Sequence, residues 1–286
     1  FMASDEMRVE TWRRKVLLDQ EIGKPEPNKA HYAISQLVDM GKVSKVITQN
    51  IDNLHQNSGL SDDQVIELHG NGTFAKCLNC EKKYQITLIK EQFKKDNLAP
   101  VCECGGYIKS ATVSFGQSMP PVAMQAAEEA SLACDLFIAV GSSLKVFPAA
   151  GFPILAKENG AKFVIINREP TDLDGFADLV LNIEINEIFD LITEALRDAV
   201  ANQIIDELLT IAQSGEQTSA LKLGKTYTEL LVAPNYPSAY VWLSIAQAYG
   251  VESASDLLRK VADNLTVEEI LAQQEQASNK FAEINS

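Results

Sequence analysis

The chain has 286 residues, of which 46% are hydrophobic and 22% charged, the composition of an ordinary globular protein. Its formal net charge of −14 argues against nucleic acid as a direct ligand of the surface. We find no apolar run of about 18 residues and no basic-then-apolar leader, so the sequence predicts no membrane span and an intracellular protein, cytoplasmic or nuclear.

A polar cluster follows the first apolar strand of the chain. Helical patterns over residues 3–21 and 29–40 come first, and a short strand then ends at Thr48. Gln49, Asn50 and Asp52 lie just beyond it, where ligands bind in open α/β sheets. Such side chains can hydrogen-bond a ribose or a carboxamide, whereas the alternative is a simple capped turn.

A second short strand, residues 63–68, leads into a histidine. His69 lies in a turn that continues Gly70–Asn71–Gly72, and glycine lets a backbone approach a ligand closely. Histidine titrates near neutral pH and is the commonest general base. The alternative is a core histidine at a strand end.

Four cysteines form two closely spaced pairs, a C-x2-C and a C-x-C that two glycines follow. Without a secretion signal this pattern favours metal over disulfides, and four thiolates form a closed, structural zinc site. A redox pair or an iron–sulfur cluster is the alternative. The predicted ligands are Cys77, Cys80, Cys102 and Cys104.

Two further strands end in polar turns. Residues 136–140 are continuously apolar, as in a parallel strand buried on both faces, and they lead into Gly141, Ser142 and Ser143, a turn suited to a phosphate or ribose. Residues 162–166 are followed by Asn167 and Glu169, common types of partner for ribose hydroxyls.

Strands and helices alternate up to residue 212, which predicts an α/β domain with a parallel, Rossmann-like sheet and a zinc-ribbon module over about residues 73–112. Residues 213–286 show only helical patterns and form a predicted all-α tail. Part of the tail resembles tetratricopeptide repeats, so it is a candidate docking module for a protein partner or a helical tail packed on the main domain.

These motifs occur together in one order: TQNID, LHG, C-x2-C, C-x-C, V-x-FG, GSSL and INRE. In this combination the chain resembles the sirtuins, NAD-dependent protein lysine deacylases, over about residues 1–200. The resemblance implies NAD as cofactor, structural Zn²⁺, acylated-lysine proteins or peptides as substrates, and transfer of the acyl group to ADP-ribose with release of nicotinamide.

The resemblance also implies roles for individual residues. His69 would be the general base, and Val113, Phe115 and Gly116 would pair with an extended peptide substrate. The NAD-binding residues would be Gln49, Asn50, Asp52, Gly141, Ser142, Ser143, Asn167 and Glu169.

The sequence departs from the sirtuin pattern at its start. Family members begin with a strand, a Gly-Ala-Gly phosphate turn and a Pro-Asp-Phe-Arg cofactor loop, which this sequence does not contain, so we expect a cut N-terminus and impaired NAD binding. Gln117 stands where the family more often has Glu. Two alternative functions stay open at this point: protein ADP-ribosyl transfer on the same scaffold, and a non-catalytic zinc and helical-repeat binding module.

Overall fold

A computed structural model describes residues 1–114 and 116–285. The chain divides into two compact units, Phe1–Phe189 and Asp190–Ser286. No helix among these described residues is long and apolar enough to cross a membrane. The sequence places the domain boundary after residue 212, whereas the compact units divide inside one long helix, Ile185–Gln213, because Ile205 and Ala212 of that helix belong to the core of the second unit.

The first unit contains parallel strands that alternate with helices, as predicted. Its elements in chain order are α1 (Asp5–Ile22), α2 (Lys29–Asp39), β1 (Val46–Thr48), α3 (Leu54–Asn57), β2 (Val65–Glu67), β3 (Gly70–Cys77), β4 (Lys83–Gln85), α4 (Ile86–Asp96), β5 (Ile108–Thr112), α5 (Pro121–Ala133), β6 (Leu136–Val140), α6 (Gly151–Glu158), β7 (Lys162–Ile166) and β8 (Leu179–Leu181). Strands β1 and β2 pair in parallel, and a second parallel sheet has the order β6-β7-β8. Polar residues that follow β1 and β2 therefore meet at one sheet edge, and those that follow β6 and β7 meet at another.

Strand β6 is less buried than its composition suggests. Leu136 and Ile138 are 46% and 42% exposed, whereas Ala139 on the opposite face is buried. The prediction of a strand buried on both faces is therefore wrong. Phe137 and Ala139 pack against buried side chains around Phe163, and the other face of the strand is not covered by the described residues.

The cysteine-rich segment forms an antiparallel sheet of order β4-β3-β5, and helix α4 fills the insert between the cysteine pairs. Helix α1 packs on this module through Trp12, whose Nε1 donates to the carbonyl of Ile108 at 3.1 Å. Asp19 of the same helix accepts from Lys15 and from Lys90 of α4, each at 2.8 Å. The middle and the C-terminal part of α1 are thus fixed to the module.

The second unit is helical within its described residues, as predicted. It comprises the remainder of α7 (Ile185–Gln213), α8 (Gln217–Lys225), a π-helical turn Thr226–Leu230, α9 (Tyr236–Ala248), α10 (Glu252–Ala262) and α11 (Val267–Ile284). Helix α9 is central, and its residues Tyr240–Leu243 are all buried. The last helix begins with a capping box, since Thr266 and Glu269 exchange side-chain to backbone hydrogen bonds.

Candidate active site and metal centre

The base candidate and the polar loop meet at the carboxyl ends of β1 and β2. Nδ1 of His69 lies 3.0 Å from the carbonyl oxygen of Gln49. A carbonyl only accepts, so this contact selects the tautomer in which Nδ1 carries the proton. Nε2 of His69 is then an unprotonated acceptor, which is the state that a general base requires.

The turn after His69 is held closely against the end of β5. The amide of Val113 donates to the carbonyl of His69 at 2.9 Å. Gly70 has φ +70°, and a Cβ there would lie 2.1 Å from the carbonyl oxygen of Ala111, so this position requires glycine. Strand β5 ends at Thr112, which leaves Val113 beyond the strand but beside the base.

The remaining peptide-binding candidates lie further along this segment. Gly116 has φ +79° and forms a turn. Phe115 lies outside the residues that the structure describes. Of the predicted peptide contacts, the structure therefore places Val113 against His69.

The polar loop has a defined conformation. The amide of Asn50 donates to Oγ1 of Thr48 at 3.1 Å, and Oδ1 of Asp52 accepts from the amide of Leu54 at 3.0 Å. Asp52 thus closes a turn that leads into α3, in line with the turn interpretation, while Asn50 is exposed at the sheet edge. The two interpretations of this loop are compatible.

A pair of histidines near this loop was missed by the sequence reasoning. The rings of His31 and His55 lie 4.9 Å apart between centroids. Burial lowers the pKa of each ring, and the carboxylate of Asp52 opposes that effect. Because the two residues are 24 positions apart on different helices, no local pattern reveals their contact.

The buried amide of Asn71 was also missed. Its side chain bonds to Asn53, Glu67 and Thr73. The sequence showed Asn71 only as the residue between two glycines, which is typical of a turn. In the structure Asn71 is the second residue of β3 and almost fully buried, and burial is the property that sequence alone could not supply.

The second polar cluster surrounds a cavity of about 360 Å³ at the ends of β6 and β7. The amide of Gly141 donates to the carbonyl of Ile166 at 2.9 Å, which joins the two strand ends. Gly141 has φ +61°, and a Cβ there would lie 2.9 Å from Cδ1 of Ile185. The cavity is lined by Ser143, Asn167, Arg168, Glu169, Glu184 and Ile185.

This cavity brings together three of the predicted ribose-binding residues. Asn167 donates through Nδ2 to the carbonyl of Glu169 at 2.7 Å. Ser142 lies just before the cavity, where its Oγ accepts from the amide of Leu144 at 3.2 Å. Arg168 and Glu184, which form an ion pair at 3.3 Å, were not predicted.

The four cysteines converge as a metal site requires. Their sulfur atoms all lie within 4.8 Å of one another, with Cys77–Cys104 at 3.5 Å and Cys80–Cys102 at 3.7 Å. Zinc–sulfur bonds of about 2.3 Å place tetrahedral sulfurs about 3.8 Å apart, so the set fits Zn²⁺ and is far from disulfide geometry. All four cysteines would hold the ion, with no open position for catalysis.

Residues around the cysteines complete this site. Oη of Tyr84 donates to Sγ of Cys102 at 2.9 Å and lowers the pKa of that thiol to about 6, which favours the thiolate that zinc binds. A Cβ on Gly106 would lie 2.6 Å from Sγ of Cys77. The short C-x-C spacing therefore needs a glycine beside it.

Fold and site together define an α/β protein of the nucleotide-binding type with a four-cysteine module whose geometry fits zinc. Residues 2–148 match the family model described as the Sir2 family. This chain is 53% identical to an NAD-dependent protein deacetylase of Rhodopseudomonas palustris over 188 residues, which are 65% of this chain and 74% of that protein. The chain belongs to the Sir2 family.

Further relatives extend this likeness. An NAD-dependent protein deacylase 2 of Archaeoglobus fulgidus is 42% identical over 60% of this chain and 68% of its own length. A solved Sir2 with a p53 peptide and NAD⁺ is 37% identical, with a TM-score of 0.56 over 59% of this chain and 70% of that one. Sir2Tm bound to a propionylated peptide is 32% identical, with a TM-score of 0.59 over 68% and 85%.

Proposed function

We propose that this protein is an NAD-dependent protein lysine deacetylase. The observation that carries the proposal is the position of His69, whose ring is fixed by the carbonyl of Gln49 and whose carbonyl accepts from the amide of Val113. The base candidate thus lies between the loop assigned to the cofactor and the segment assigned to the peptide. The names of the relatives, which include deacetylases that use NAD, support this assignment.

NAD, when bound, would supply the ribose carbon that the acyl oxygen attacks, the nicotinamide that leaves and the ribose hydroxyl that takes up the acyl group. His69 accepts a proton at Nε2 from a ribose hydroxyl, because Nδ1–H is directed to the Gln49 carbonyl. The resulting imidazolium keeps that Nδ1–H bond, so the ring does not have to rotate during the proton transfer.

We assign different parts of NAD to the two polar clusters. Asn50 and Asp52 would bind the nicotinamide side, next to His69. The cavity at β6 and β7 offers hydroxyl, amide and carboxylate groups from Ser143, Asn167 and Glu169, which suit the hydroxyls of the adenosine ribose.

An acylated-lysine peptide is the proposed substrate. An extended peptide can add to the segment that contains Val113 and Gly116 by backbone pairing, which places its lysine beside the base. Related structures named as Sir2 bound to an acetylated peptide and Sir2Tm bound to a propionylated peptide support this assignment. The four cysteines take no part in the chemistry, because they are proposed to form a closed zinc site.

The test is an assay of the full chain with an acetyl-lysine peptide and NAD in large excess, because the sequence predicts impaired NAD binding. We expect release of nicotinamide together with deacetylated peptide and acetylated ADP-ribose, identified by mass spectrometry. The variant H69A should reduce the rate about 100-fold to 10,000-fold, as expected for loss of a general base. Zinc content and melting temperature of H69A serve as controls for its folding.

The same assay separates the alternatives. ADP-ribose that stays attached to the target would identify a protein ADP-ribosyltransferase. A folded, zinc-loaded protein that releases no nicotinamide would overturn the proposal and favour a non-catalytic binding module.

A further inference from the structure

Asn71 is a buried side chain two residues beyond His69, and only 3% of its surface is exposed. Its Nδ2 donates to Oδ1 of Asn53 and to Oε1 of Glu67, each at 2.7 Å. Its Oδ1 accepts from the amide of Thr73 at 2.9 Å and from Oγ1 of that residue at 2.6 Å. Two donated hydrogens and two accepted ones use the full hydrogen-bonding capacity of an amide.

The partners of Asn71 lie on the elements that form the catalytic region. Asn53 directly follows Asp52 and adopts the left-handed conformation at φ 66°, at the entrance to α3. Glu67 is the last residue of β2, and its Oε1 also accepts from Gln56 of α3 at 2.9 Å. Asn71 therefore joins the end of β2, the start of β3 and the entrance of α3.

Three contacts connect the turn His69–Gly72 to the loop Gln49–Asn53. The ring of His69 bonds to the carbonyl of Gln49, and the amide of Gly72 donates to the carbonyl of Ile51 at 2.7 Å. The bond between Asn71 and Asn53 is the third. Together they fix how far the base lies from the loop to which we assign the nicotinamide side of NAD.

We propose that Asn71 is a positioning residue that holds His69 in register with the loop Gln49–Asn53. This inference rests on the proposed function. Of the three contacts, one uses the ring of His69 and one is between backbone atoms of Gly72 and Ile51. Asn71 is therefore the side chain whose removal loosens this connection without changing His69 or the loop residues assigned to NAD. No common residue replaces it, since aspartate lacks the two donors and alanine or serine cannot make four hydrogen bonds.

The consequence for catalysis follows from distance. A displacement of about 1 Å can cost about 100-fold in rate when a catalytic group must meet its substrate in a fixed geometry. We expect N71A to lower kcat about 10-fold to 100-fold while KM for the acetylated peptide stays at the wild-type value. A KM effect without a kcat effect would contradict a role in placing the base.

The matched control is Asn57→Ala. Oδ1 of Asn57 accepts from Nδ2 of Asn53 at 2.9 Å. The side chain of Asn53 thus bonds to both Asn71 and Asn57, and N57A removes only the bond to Asn57. Asn57 is exposed and does not contact the base turn, and water can replace its oxygen. We expect N57A to keep wild-type kcat.

A charge-compatible pair of substitutions separates positioning from general stability. N71D places a carboxylate beside Glu67 and removes both donors, so it should lower kcat at least as much as N71A. In the double variant N71D/E67Q, the glutamine amide can donate to the new carboxylate. The hydrogen bond between positions 71 and 67 is then restored, with donor and acceptor exchanged. We expect the double variant to regain the melting temperature that N71D loses but not its kcat, because the carboxylate still has no donor for Oδ1 of Asn53.

The tautomer of His69 gives a readout that needs no turnover. In ¹⁵N NMR of the full chain, the wild-type ring should show a protonated Nδ1, whereas N71A should show a mixture of tautomers because the Gln49 contact is loosened. Wild-type protein that releases no nicotinamide would overturn the proposed function, and the tautomer would still decide the role of Asn71. Wild-type kcat and an unchanged ring in N71A, or wild-type kcat in the double variant, would overturn this inference.

Discussion

Replacing Gly70 by alanine tests how tightly the base turn is constrained. At φ +70° an alanine costs about 1–2 kcal/mol in backbone conformation alone. Its Cβ would also lie 2.1 Å from the Ala111 carbonyl oxygen, about 1.2 Å inside an ordinary carbon–oxygen contact of about 3.3 Å. The neighbour is backbone, so no side-chain rotation relieves the clash, and overpacking of this kind adds about 1–3 kcal/mol.

The matched control is Gly41→Ala, because Gly41 has nearly the same φ, +69°, and open space where its Cβ would lie. We expect G41A to lose about 1–2 kcal/mol of unfolding free energy in urea denaturation, and G70A about 2–5 kcal/mol. Since the clash pushes the turn from Val113 by about 1 Å, kcat/KM for nicotinamide release should fall about 100-fold in G70A and remain unchanged in G41A. Equal stability and equal kcat/KM in the two variants would refute the reasoning.

Two further substitutions test the metal centre and the histidine pair. Y84F removes the hydroxyl that donates to Cys102, so zinc should be lost to a chelator about 10-fold to 100-fold faster, and a wild-type rate would contradict that role. Burial lowers the pKa of His55 and His31, so the unfolded chain binds more protons and stability should fall as the pH drops below about 6.5. His55→Gln should reduce this fall in melting temperature between pH 7 and pH 5, and an unchanged slope would exclude His55 as its source.

Short motifs carried most of what the sequence predicted. Cys77 and Cys80 are separated by two residues of one turn, so their shared metal site follows from local spacing. The positions of Gln49 and His69 follow from a general rule, since the carboxyl ends of neighbouring parallel strands meet at one edge. The contact between these two residues brings the polar run and the histidine together, as that rule predicts.

Burial and long-range contacts were the parts that the sequence could not supply. Leu136 and Ile138 look like core residues by composition, and their exposure depends on which face of the sheet other elements cover. Asn71 looks like a turn residue, and its role depends on Asn53, 18 residues earlier in the chain. Hydrogen bonds of this kind follow from the fold and not from local sequence pattern.

Removal of zinc should loosen one part of the first unit and not the rest. Cys77 and Cys102 are buried in the same cluster as Trp12, Ile89 and Ile108, so their charges need the metal to be stable there.

We expect chelation to increase hydrogen exchange in residues 73–112 and in α1, which the Trp12 indole ties to this cluster, while β6–β8 keep their protection. The turn His69–Gly72 has its own bonds to Gln49 and Ile51, so its protection should be lost later than that of the cysteine loops. Loss of protection at the same rate throughout the first unit would show that the zinc ribbon and the parallel sheets unfold as one cooperative unit, and would contradict this division.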